Sequence, residues 1–153
     1  METPEDSDPS ETVSVRDIPA EFFTDLKNAI VLEVRQEILK AQRKPFIKLL
    51  NDHSKQVIVS IEDIYWITVK DEIVEFHVPG LKEKNLHRHG SLQRIEKKIN
   101  DPNFIQVNKH TLVNRKHVVG MVAQEHEIVM ENSMTIPFTA TFYPRLKEVL
   151  IID

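Results

Sequence analysis

At Pro45 the chain changes its hydrophobic period, and that change limits the fold more than any other feature of the sequence. Before it, Phe23, Leu26, Ile30, Val34, Ile38 and Ala41 recur at a mean spacing of 3.6, which puts them on one face of a helix over residues 21–44. Glu21 and Asp25 at its start and Lys40, Arg43 and Lys44 at its end suit the helix dipole, and Pro45 stops it. After it, β-forming runs at 46–50 and 56–60 flank a polar turn and predict a hairpin. Runs at 64–69 and 73–78 predict a second hairpin around Lys70, Asp71 and Glu72, with Trp66 in the core. A further strand pair at 120–123 and 126–130, a run at 134–138 and a helical turn at 143–150 complete a mostly β domain of short antiparallel strands with small helices.

The helix is apolar on more than one side, because Phe22, Val31, Leu32 and Leu39 widen the stripe. Glu33 and Glu37 interrupt any heptad, so a long coiled coil is not expected. Two uses stay open: packing on the domain, or pairing with a second copy or another partner. Residues 1–20 are rich in Pro, Ser and acids and read as a disordered acidic leader.

The net charge of −4 divides unevenly. Residues 1–45 hold 6 Lys and Arg against 10 Asp and Glu, whereas residues 46–153 hold 14 of each and all seven His. Residues 84–95 and 102–124 contain no acid at all, so the domain carries a segregated basic surface of the kind that meets phosphates. No apolar run approaches the about 18 residues that span a bilayer. With no Cys there is no disulfide scaffold, zinc ribbon or thiol catalysis, which fits a cytoplasmic protein. The three glycines form no phosphate loop, and no nucleophile elbow or His-Glu-x-x-His is present. His87 and His89 flank Arg88 and suit solvent or phosphate better than a metal. Neither an active site nor a cofactor, metal or small-molecule substrate is expected.

Residues 88–121 carry the most specific pattern. Ser91 is a good N-cap for a short helix with Leu92, Ile95 and Ile99 on one face, ended by Asn100, Asp101 and Pro102. Two β-segments follow, 104–107 and 112–113, joined by the cationic connection Asn108, Lys109, His110, Thr111. A loop of this kind on a rigid sheet can present side chains to a groove.

The ordered set Arg88, Ser91, Leu92, Ile95, Glu96, Phe104, Val107, Leu112, Val113, Asn114, Val118 and Met121 resembles the LytTR-type DNA-binding domain of bacterial transcription regulators. Residues 62–67 and 136–139 fall where that family has similar segments, and the resemblance spans residues 46–150. It implies a compact stack of small antiparallel sheets and β-loops inserted into successive major grooves of double-stranded DNA, two protomers sitting on repeated sites. Base-reading candidates are then Lys109, Asn108 and His110 on one loop, Lys70 and Glu72 on another, and Thr139 and Thr141 on a third. Arg88, Ser91, Arg94, Arg115, Lys116 and His117 are the phosphate candidates. The chain departs from the family's usual residues at 106–111 and at Thr139 and Ala140, where an arginine is usual. The 45 N-terminal residues are too few for a receiver domain. Control is then expected through the helix at 21–44, through a regulatory partner, of which a membrane protein is one kind, or through expression level, and the alternative is an interaction module that has lost DNA binding.

Overall fold

The computed structural model describes residues 18–152, which belong to two units, Met1–Gln42 and Arg43–Asp153. The leader expected over residues 1–20 lies outside the described residues except for its last three, and Ala20 already belongs to the helix. That helix, α1 (Ala20–Gln42), makes up all but the first two described residues of the first unit, and its large apolar side chains are half-exposed. It ends two residues before the expected limit.

In the second unit the strand order follows from local signals joined by long-range pairing. Asn51 makes the first turn tight: its side-chain oxygen accepts from the backbone N–H of His53 at 2.9 Å and of Lys55 at 3.0 Å. This closes β1 (Phe46–Leu50) onto β2 (Gln56–Ser60). β3 (Trp66–Lys70) and β4 (Ile73–His77) form the second hairpin, whose turn is two residues long. Next come β5 (His87–His89), α2 (Leu92–Ile99), β6 (Phe104–Asn108) and β7 (Thr111–Asn114). All seven strands make one antiparallel sheet in the order β2-β1-β5-β4-β3-β7-β6. β8 (Val118–Val122), β9 (Glu127–Met130) and β10 (Thr135–Pro137) make a second sheet in the order β10-β9-β8, and α3 (Tyr143–Leu150) closes the unit. The expected small sheets are thus one large and one small, because the three-residue β5 joins the two hairpins.

Alternation along the central strands gives the sheet two cores. Ile67, Val74, Phe76, Phe104 and Leu112 face one way and pack with Leu92, Ile95 and Ile99 of α2. Trp66, Ile105, Val107 and Val113 face the other way and pack with Ile128, Met130, Ile136, Phe138 and Leu146 from the small sheet and α3. The amide N–H of Arg94 donates to the Ser91 hydroxyl at 3.3 Å, and Asn100 ends α2 in the left-handed conformation. A fully buried aliphatic side chain on α2 such as Ile95 stabilises the fold by roughly 1.5–3 kcal/mol. Trp66, 6 % exposed, sits in the core as its sequence context predicts, stacked on His77 at 4.4 Å.

Candidate nucleic-acid interface

Register brings four crossings of the chain to one end of the large sheet. The pairing of Lys70 with Ile73 sets the β3–β4 turn there. Thr68 pairs with Thr111, and Val69 N–H donates to the His110 carbonyl at 2.9 Å, which puts the β6–β7 turn beside it. On the other side His89 pairs with Ile73, and Gly90 N–H donates to the Glu72 carbonyl at 2.9 Å, so the start of α2 lies at this end too. Past β6, Thr139 N–H donates to the Val107 carbonyl at 3.1 Å and brings in the β10–α3 loop.

Most of the sequence candidates therefore share one edge. In spatial order they are Arg94, Ser91 and Arg88; then Lys70 and Glu72; then Lys109 and His110; then Thr139 and Thr141. Lys70, Lys109, His110 and Arg94 are exposed and Arg88 is half-buried. Among the described residues none of Lys70, Arg88, Arg94 and Lys109 makes an ion pair. A shallow cleft of about 440 Å³ lies between Glu72, His89, Gly90, Ser91 and Arg94.

The edge is rigid at the points that matter. Asn108 holds its own turn, accepting from His110 N–H at 2.9 Å and donating its amide to the Pro137 carbonyl at 2.8 Å. Its side chain is thus engaged as a brace, and Lys109 and His110 project beyond it. Asp71 and Glu72 are both left-handed, at φ 51° and 63°, the geometry of a two-residue hairpin turn that usually takes Asn and Gly. Holding two non-glycine residues there costs on the order of 1–3 kcal/mol each.

Arg115, Lys116 and His117 are not brought to that edge. They form a single 3-10 turn at the opposite end of β7, about 13 Å away by strand length. Each has an intramolecular partner. Arg115 Nε donates to Asn103 at 3.1 Å, and Lys116 Nζ pairs with Glu62 at 3.1 Å. His117 contacts the Glu131 carboxylate at 3.1 Å and the Glu62 carbonyl at 2.6 Å, and stacks on Tyr65 at 4.1 Å. The hydrogen bond from His117 holds the Glu131 carboxyl below its usual value, while partial burial and then the bond to Glu131 push the Tyr65 phenol up. Asn114, 1 % exposed, ties this turn to the sheet through the Ile64 carbonyl at 2.9 Å and Lys116 N–H at 3.1 Å.

Arg145, exposed in the first turn of α3 and four residues beyond Thr141, is a cation that the sequence candidates do not include. The signal for it was Pro144, which marks a helix start. His87 and His89 lie edge to face with their rings 6.3 Å apart, and among the described residues no group of three ligand side chains gathers as a metal site. Among the described residues no helix is long and apolar enough to cross a membrane.

A family model described as the LytTr DNA-binding domain matches residues 54–151. A solved LytTr DNA-binding domain from Bacillus cereus covers 71 % of this chain and 99 % of its own, with a TM-score of 0.63 and 18 % identity, a likeness of fold. No curated protein matches the chain.

Proposed function

The chain belongs to the LytTr DNA-binding domain family, and from that premise we propose that it is a sequence-specific transcription regulator of a bacterial cytoplasm. DNA binding is what the family contributes; the reading of this particular surface rests on one observation. Four chain crossings meet at one end of the seven-stranded sheet, and among the described residues the cations they carry make no ion pair.

Width assigns the roles. From β5 to β6 the edge spans four inter-strand spacings, about 19 Å, more than the ~12 Å of a major groove. A turn seated in the groove therefore leaves the flank of the edge over phosphates. Lys109 enters as the principal base reader, its ammonium suited to guanine O6 and N7, with His110 beside it. Lys70, Glu72, Thr139 and Thr141 supply further polar contacts, Glu72 accepting from a cytosine amine. Arg88, Ser91 and Arg94 clamp phosphates on the flank. Asn108 frames the reading turn, His117 ties the turn after β9 to the segment before β3, and Arg115 and Lys116 are held by Asn103 and Glu62. Two protomers occupy neighbouring repeats and insert loops into successive major grooves.

Titration on random and selected duplexes at two salt concentrations tests this. A steep salt dependence with an enriched repeated site is the expected result. No binding at low salt would overturn it and leave an interaction module on the same scaffold.

A further inference from the structure

We infer that Arg145 clamps a phosphate on the DNA strand opposite the one held by Arg88 and Arg94. This deepens the proposed function and rests on it, since it makes the grip two-sided. A groove has a phosphate backbone along each wall, and the arginines assigned so far stand on one face of the large sheet. Arg88 lies directly across from Val74, whose side chain packs in the core with α2, and cross-strand partners share a face. Arg94 is on α2 itself.

α3 covers the other face, where Leu146 is fully buried with Ile105, Val107 and Val113. Its start is pinned beside β6: Thr139 N–H donates to the Val107 carbonyl at 3.1 Å, and Phe142 N–H to the Thr139 carbonyl at 3.0 Å. Its C-terminal end reaches the far end of the sheet, where Val149, Leu150 and Ile151 share a cleft with Arg115 and Val118. Arg145 is thus in the turn of α3 nearest the reading edge. Helix side chains tilt toward the N-terminus, so Arg145 leans back to that edge. It is exposed, the first turn holds no acid, and among the described residues it makes no ion pair. The starts of α2 and α3 stand at opposite corners of the edge, on opposite faces and about 19 Å apart along the row from β5 to β6. A turn seated between them in a groove of ~12 Å puts the two corners over different strands. Arg145 sits on a helix behind the turn tips, which suits a phosphate and not a base edge.

Arg145→Ala, Arg145→Lys and Lys55→Ala are made in the full chain and titrated on a random-sequence duplex over a range of salt. Lys55 is exposed in the β1–β2 turn, at the end of β1 away from the reading edge, and serves as the control. Arg145→Ala is expected to lower the slope of log affinity against log salt by about one per bound protomer, with about tenfold weaker binding. Arg145→Lys should keep the slope, and Lys55→Ala should not move it. Added to Arg88→Ala with Arg94→Ala, the Arg145→Ala loss should sum, because the two corners share no partner. Neutral methylphosphonates are then placed in one strand at a time of the duplex that selection enriches. Arg145→Ala should cost nothing further when one strand is neutral, and Arg88→Ala with Arg94→Ala nothing further when the other is. Masking of both losses by the same strand overturns the two-sided grip. A slope unmoved by Arg145→Ala, with the Arg88 and Arg94 variant still losing two, overturns this inference and leaves the functional reading standing. A folded parent that ignores DNA at low salt overturns both.

Discussion

The two ends of β7 carry almost the same chemistry and do opposite things with it. At one end, Lys109 and His110 stand beyond a braced turn, and no acid among the described residues pairs with them. At the other, Arg115, Lys116 and His117 are drawn in by Asn103, Glu62 and Glu131. Both ends come from one acid-free stretch of sequence, residues 102–124. What separates them is whether the side chains that the fold brings near are paired with the cations. The β3–β4 turn brings Asp71 and Glu72 toward the free edge without pairing them to its cations, whereas the segment before β3 and the end of β9 deliver carboxylates to the far end. Under the proposed docking, local basicity alone would not mark the phosphate surface, and basicity left over after the chain's own pairing would.

The contrast can be broken by experiment, starting where the effect is largest. Arg88→Ala with Arg94→Ala is expected to lower the slope of log affinity against log salt by about two and to cost about a hundredfold on every duplex. Arg115→Ala with Lys116→Ala should leave that slope alone; an equal loss would merge the two ends into one surface. Lys109→Ala should cost about 1–3 kcal/mol on the preferred site and little on random DNA, measured as a specificity ratio. At the far end, Asn114→Ala should lower stability by about 1–3 kcal/mol in denaturant titration, because the buried Ile64 carbonyl and the partly buried Lys116 N–H lose their hydrogen bonds. The folded protein should still bind DNA.

Smaller effects sharpen the same comparison. Glu72→Gly relieves a left-handed glutamate and removes a carboxylate from the free edge, so it should raise stability by about 1 kcal/mol and tighten non-specific DNA binding. On the preferred site the same variant should bind more weakly, because the proposed cytosine contact is lost; an unchanged specific affinity would remove Glu72 from the base readers. For Glu131 the folded carboxyl titrates below the unfolded one, so its contribution is present above the usual carboxylate range and is lost as pH falls through the folded value. Glu131→Gln should therefore flatten the acid side of the stability profile, below about pH 4.5, in thermal unfolding. A profile unchanged by the substitution would remove the ion pair from the ties at the far end.

What the sequence disclosed is mostly what adjacent residues decide. The two hairpins, the Ser91 cap, the face of α2 and the buried Trp66 follow from period, β-formers and capping chemistry within a few residues. β5 escaped because His87, Arg88 and His89 have no apolar alternation; they form a strand only because β1 and β4 flank them. The pairing of Lys116 with Glu62 spans 54 residues, and that of His117 with Glu131 spans 14, so neither is visible from local spacing. Asn108 reads as a side chain aimed outward until the carbonyl of Pro137, 29 residues away, is found to take its amide.

β3 and β7 are packed on both faces, and the free turns are their direct continuations. A load applied at Lys109 or Lys70 runs along the strand axis, the direction in which a strand clamped between two cores yields least. Under the proposed docking, the stiff partner is the protein and the compliant one is the duplex. Shape adjustment then falls on the DNA, and base steps that unstack or roll cheaply gain affinity even where no side chain touches them. Operator choice would thus carry a mechanical component set by the sandwich behind the turns as well as a chemical one set at their tips.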